Sequence, residues 1–126
     1  GYEWMCSGMT EIKTQIEFDF KQPSTAVFEF ECKGHCTHDV CVSVSALVST
    51  LVQIVKDTEA RLEEPEIVYE YGDVKIKCVC ERMVFELKLR QKIEAIMTGL
   101  EMFEENYRDE IEIKNGGVVF KNSEIL

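Results

Sequence analysis

The chain has two histidines, His35 and His38, and two cysteines, Cys36 and Cys41, stand beside them. Thiols and imidazoles this close suit two chemistries: a thiolate nucleophile with an imidazole partner, or a metal site. Apolar positions 40, 44, 47, 48, 51 and 55 follow helical spacing, which predicts a helix over residues 40–56 with Thr37 or Asp39 as its N-cap. Cys41 then sits in the first turn, where unpaired N–H groups and the helix dipole favour a thiolate. His35, at the end of the preceding strand, is close enough to fold over the helix start as base or as imidazolium partner. His38, three residues before Cys41 on the same helical edge, competes for that role. Cys41, Ser45 and Ser49 repeat at four-residue steps, so Ser45 shares the cysteine's face and can reach the histidine or the thiolate. The plainer reading of each is a buried cysteine, a solvated cap histidine and small serines that permit close approach.

The rival chemistry is zinc. Cys32, His35, Cys36, His38 and Cys41 offer five donors, and Cys78 and Cys80 would add two. Structural zinc sites bring two separated, short-spaced pairs, whereas Cys78 and Cys80 fall on the core phase of one strand. No metal and no cofactor is therefore expected, and a zinc-binding structural module ranks third among the functional readings. Residues 101–110 are acidic without the spacing of a calcium loop or of paired catalytic carboxylates, and a solvated helix face explains them. There is no glycine-rich phosphate loop.

The surrounding pattern gives the elements that must position these groups. Ile12, Thr14, Ile16, Phe18 and Phe20 alternate with polar residues, Gln22 to Thr25 supply turn chemistry, and Ala26, Phe28, Phe30 and Cys32 return, which predicts an antiparallel hairpin ended by Gly34. The helix that follows is apolar almost all round, with Val42, Ala46, Val52 and Ile54 outside its main stripe. It must be covered on more than one side, as a central helix or at a dimer contact. Pro65 stops a charged exit, and Ile67, Tyr69 and Tyr71 lead into Gly72-Asp73 as a two-residue hairpin turn, with Val74, Ile76, Cys78 and Cys80 returning. Residues 85–107 form a long amphipathic helix, and Ile111 and Ile113 a short strand. Asn115-Gly116-Gly117 is a turn after which Val118 to Phe120 pair back or trail away. The order ββαββαβ gives an α+β domain: a mostly antiparallel sheet of about five strands, two helices packed on one face, the other face charged.

The 126 residues suit a single domain, with residues 1–9 a leader or remnant, 10–114 the core and 115–126 a C-terminal extension. Hydrophobic residues at 45% and charged residues at 30% describe a globular chain. With 14 basic against 24 acidic residues the net charge is -10, which disfavours a phosphate-binding surface, so no direct nucleic-acid partner is expected. The longest apolar run, residues 46–55, is interrupted by Ser49, Thr50 and Gln53, so no membrane partner is expected either. The first eight residues lack a secretory layout. The six cysteines are then expected as thiols in a reducing cytoplasm.

Gly34-His35, followed by His38-Asp39-Val40-Cys41 and by Ser45 four residues after the cysteine, resembles the ribosomal-processing cysteine protease family, Prp. Residues 93–113, with Met97-Thr-Gly-Leu-Glu-Met-Phe-Glu-Glu-Asn-Tyr107 and Ile111-Glu-Ile113, look like that family's second helix and closing strand. The resemblance covers about residues 10 to 114. It implies a small cytoplasmic cysteine endopeptidase, often a homodimer, that removes the N-terminal extension of a large-subunit ribosomal protein, with phage capsid or scaffold proteins as substrates in some settings. It also implies His35 as the catalytic histidine, Cys41 as the nucleophile, Ser45 as the adjacent serine and, loosely, Asp39 as the motif's aspartate, with helix-start N–H groups as oxyanion donors. The chain departs from that pattern in two places. Only residues 36–40 separate His35 from Cys41, where the family carries a longer glycine-containing loop, and one residue is missing between the aspartate and the cysteine. A catalytically altered homologue acting as an interaction or regulatory protein is therefore the alternative.

Overall fold

The computed structural model describes residues 9–35, 37–58 and 61–125, with the side chains of His38 and Ile125 outside the description. Residues 1–8 and Cys36 lie outside it too, so the reading of a leader segment and the Cys36 donor are not addressed by the fold. Strands β1 (Thr10–Asp19), β2 (Thr25–Lys33), β3 (Glu66–Glu70), β4 (Asp73–Glu81) and β5 (Ile111–Lys121) form one sheet in the order β3-β4-β2-β1-β5. Every neighbouring pair is antiparallel except β1 with β5. Helix α1 (His38–Asp57) follows β2. After β4 a helical turn α2 (Arg82–Val84) continues through a π-helical stretch (Phe85–Leu89) into α3 (Arg90–Asn106), and a 3-10 turn (Ser123–Ile125) ends the described chain. The architecture is the expected α+β arrangement.

Period-two burial drives the sheet. Ile12, Phe18, Ala26, Phe28, Phe30, Val74, Ile76, Cys78 and Cys80 all turn to the helix side and are buried. Against them α1 lays Val40, Val44, Val48, Leu51 and Val55, and the second helical arm lays Phe85, Leu89, Ile93, Met97 and Leu100. The opposite sheet face carries Lys13, Gln15, Glu29, Glu31, Lys75, Lys77 and Lys114 around an open saddle, the charged face that the alternation predicts. Among the described residues α1 is the one helix long and apolar enough to cross a membrane by length and composition. Its stripe of valines packed on the sheet accounts for that composition as core. Part of its apolar surface stays open, with Val42 56% exposed and Leu47 and Ile54 half-buried.

Two expectations are corrected. The hairpin turn is Tyr71-Gly72, one residue earlier than expected, because Glu70 pairs with Asp73 and Gly72 takes the positive φ of +79° that such a turn requires. Asn115-Gly116-Gly117 does not turn the chain. β5 runs through it parallel to β1, and the register steps from Thr14↔Asn115 to Ile16↔Val118, a bulge that sets two glycines opposite Gln15. A bulge and a turn share the same glycine signal. Only the partner strand decides between them.

Candidate active site

The site forms where β2 ends. Gly34 leaves the strand at φ +101°, and a Cβ there would stand 2.4 Å from the Met9 carbonyl oxygen, so the close approach requires glycine. Its N–H donates to the Gly72 carbonyl at 3.0 Å and ties the end of β2 to the β3–β4 turn. Thr37 then takes extended geometry as N-cap of α1 without a side-chain cap. Its N–H donates instead to Glu110 Oε1 at 2.7 Å, across 73 positions of sequence. The hydrogen bonds from Thr37 hold the Glu110 carboxyl below the ordinary glutamate range. An anion at the positive end of a helix is favoured by the dipole as well.

Cys41 is the fourth residue of α1, half-buried and packed against the core. Its N–H donates to the Thr37 carbonyl at 2.7 Å, so this amide belongs to the helix ladder and is not available for an oxyanion. That corrects the expectation for one of the helix-start donors. His35, Cys41 and Ser45 line a single cavity of about 280 Å³, closed by Thr10, Cys32, Val44, Val48 and the β3–β4 hairpin from Tyr69 to Val74. The structure thus brings together three of the five residues singled out from sequence. Asp39 does not line the cavity: it is exposed on the first turn, where its carbonyl accepts the Ser43 hydroxyl at 3.1 Å. The His38 side chain lies outside the described residues.

Within the cavity the imidazole has a defined seat. The ring of His35 lies 4.5 Å from that of Tyr71, tilted by 32°, and a Cβ on Gly72 would stand 2.6 Å from both Cε1 and Nε2. The imidazole is therefore packed on the backbone of the hairpin turn, with a largely exposed tyrosine against it. Among the described residues no hydrogen bond joins His35 to Cys41, and Ser45 bonds to neither; Ser49 instead meets the Tyr69 hydroxyl and pins β3 to α1. Asp73, which is among the residues around the cavity, keeps a buried carboxylate oxygen, Oδ1, with no partner among the described residues. Tyr69, Tyr71, Gly72, Asp73 and Glu110 were not legible as site residues. Their sequence signal was strand alternation, a turn dipeptide and an acidic helix end.

No three histidine, cysteine, aspartate or glutamate side chains come together as a metal site among the described residues. Cys78 and Cys80 lie apart from the cavity on the core face of β4, 1% and 0% exposed, with their sulfurs 3.7 Å apart. The hydrogen bond between the two thiols, and after it burial, pushes the Cys78 pKa up, and the same bond lowers that of Cys80. They are packing residues, as their strand phase predicts.

Neither a family model nor a curated protein matches the chain at the level of sequence. Solved structures do. The ribosomal processing protease Prp from S. aureus, crystallised with a covalently linked product peptide, superposes with a TM-score of 0.57 at 19% identity, over 81% of this chain and 98% of that one. The chain shares the fold of Prp. The same S. aureus protease crystallised with a substrate peptide gives a TM-score of 0.56 at 16% identity, with the same coverage. The protein SMU.848 from Streptococcus mutans gives 0.58 at 16% identity, over 90% of this chain and 97% of that one. In this Prp fold, the junction that holds His35 and Cys41 is built by the end of β2 and the start of α1.

Proposed function

We propose that the protein is a cysteine endopeptidase of the Prp type, with Cys41 as nucleophile and His35 as its base. The observation that carries this reading is that the two side chains line one cavity of peptide-residue size at a strand-to-helix junction of a Prp fold. His35 takes the proton of the Cys41 thiol, and the thiolate adds to the scissile carbonyl carbon. Collapse of the adduct breaks the C–N bond as the imidazolium returns the proton to the leaving amine, which leaves a thioester on Cys41. Water, deprotonated by His35, then adds to the thioester and releases the acid and the thiol. With the Cys41 amide engaged in the helix, the amides of residues 38 to 40 at the open end of α1 are the donors for the oxyanion. Ser45 lies on the cavity wall as a supporting hydroxyl. The S. aureus protease of this fold has been crystallised with substrate and product peptides, which supports a polypeptide as the ligand here. Within the same reading the substrate is the N-terminal extension of a large-subunit ribosomal protein, the compartment is the cytoplasm and the partner a second copy, which the open Val42 side of α1 would suit.

Incubation with an unprocessed large-subunit ribosomal protein, read by peptide mass, tests the proposal. Wild-type protein cleaves, and folded Cys41→Ala and His35→Ala do not. Full cleavage by Cys41→Ala overturns it. A catalytically altered homologue that binds rather than cuts is the second reading, favoured by the missing His35–Cys41 hydrogen bond and the short segment between them. A native Cys41 no more reactive toward a limiting alkylating agent than the core cysteines would establish it.

A further inference from the structure

The cavity opens beside an unpaired strand edge. Among the described residues β3 pairs with β4 alone and borders the sheet. Its two-residue turn makes Glu70↔Asp73 a hydrogen-bonded pair, and the alternation of an antiparallel ladder puts Val68↔Lys75 and Glu66↔Lys77 in the same class. Two bonds fix the phase independently. The Gly72 carbonyl points to the β2 side, where it accepts from Gly34, and the Val79 carbonyl points to the β3 side, where it accepts the Leu62 N–H at 3.1 Å. Backbone groups of odd-numbered β4 residues therefore face β3. The N–H and C=O of Ile67 and Tyr69 consequently point outward, over the open edge, and such a row is a template for a further strand.

Side chains along this edge divide by face. Ile67 packs on the core and Tyr69 lines the Cys41 cavity, whereas Glu66 and Val68 belong to the open sheet face. By the same alternation β3 presents Glu66 and Glu70 to a neighbour on that face, with Lys75 and Lys77 of β4 one strand further in, and Glu63 and Glu64 lie just before it beside Arg61. No lysine or proline within β3 blocks the edge.

We propose that the open edge of β3 binds an extended polypeptide of alternating apolar and basic residues as a sixth strand, its apolar side chains turned to the Cys41 cavity and its basic ones to the acidic flank. The inference rests on the peptidase reading, since the bound segment is the chain to be cut. It assigns Ile67 and Tyr69 as the residues whose main chain holds the substrate.

Amide hydrogen exchange on the Cys41→Ala protein, read residue by residue by NMR with and without a saturating (Lys-Val)5 peptide, tests it. The Ile67 and Tyr69 amides gain at least tenfold protection, and Val68 and Glu70, already in the ladder, do not change. A (Glu-Val)5 peptide binds at least tenfold more weakly. N-methylation of the basic peptide weakens binding in one of the two alternating phases and leaves the other unaffected. Absence of binding, binding that leaves Ile67 and Tyr69 unprotected, or equal loss in both N-methyl phases overturns the proposal. So does concentration-dependent protection of these amides without peptide, which would assign the edge to a second copy of the chain. An unreactive Cys41 beside a protected edge would sink the peptidase reading and leave the edge site standing; a His35-dependent Cys41 beside an unprotected edge would do the reverse.

Discussion

Replacing Gly72 by alanine tests whether the hairpin turn seats the imidazole. The new Cβ would lie 2.6 Å from Cε1 and Nε2 of His35, and ordinary contact begins near 3.4 Å, so the ring must withdraw by about 0.8 Å. At φ +79° the alanine also pays roughly 1–2 kcal/mol of backbone strain, of which about 0.4–1 kcal/mol returns through a less flexible unfolded chain. The net loss of about 1 kcal/mol is small against the 5–15 kcal/mol that is typical of a domain, so the protein stays folded. A displacement of about 1 Å at a reacting group costs on the order of a hundredfold in rate, or about 2.7 kcal/mol of transition-state stabilisation. Limiting iodoacetamide followed by peptide mapping, alongside a thermal melt, separates the two effects. The labelling rate of Cys41 falls in Gly72→Ala to that of His35→Ala, and cleavage falls about a hundredfold. Gly72→Asn carries the same Cβ but tolerates positive φ better, and so loses reactivity equally with less loss of stability. A folded Gly72→Ala protein that keeps wild-type Cys41 reactivity, while His35→Ala loses it, refutes the seat.

Glu110 makes the start of α1 sensitive to acid. Its folded pKa lies below the unfolded value, so its hold on Thr37 is complete above the ordinary glutamate value of about 4.3 and is lost as pH falls through the lower folded value. The Thr37 amide shift follows that transition in wild type and is flat in Glu110→Gln; an unchanged transition in the variant would contradict the assignment. Cys78→Ala, made in the core away from the cavity, lowers stability by about 1 kcal/mol in denaturant melts and leaves the cleavage rate unaltered. A changed rate would mean that the buried pair communicates with the site. Ser49→Ala and Tyr69→Phe each cost about 0.5–1.5 kcal/mol, and the double variant costs no more than the larger single loss. Additive losses would show that the two hydroxyls do not act on each other.

How much of the site could be read in advance follows from the range over which its contacts act. The β1–β2 hairpin, the α1 stripe and the amphipathic second arm were legible because burial imposes periods of two and 3.6 on residues adjacent in sequence. The proximity of His35 and Cys41 was legible for the same local reason: a strand end, five residues and a helix start leave little freedom. Register was harder. Glycine tolerates both a turn and a bulge, so local pattern sets the turn at Gly72-Asp73, one residue late, and reads Asn115-Gly116-Gly117 as a turn; the deciding contacts are with β4 and β1.

The sequence by itself determined that a thiol and an imidazole meet at one strand-to-helix junction on an acidic, two-layered α+β domain, because composition and local periodicity depend on near neighbours alone. The tertiary structure decided what surrounds that pair. It brought the 69–73 hairpin over His35, hung Thr37 on Glu110 and engaged the Cys41 amide in the helix. It also set β3 at the sheet border beside the cavity, with β4 as its one partner strand among the described residues. Each of these depends on which strands lie side by side. That order is set by the packing of the whole core and cannot be read from any one segment.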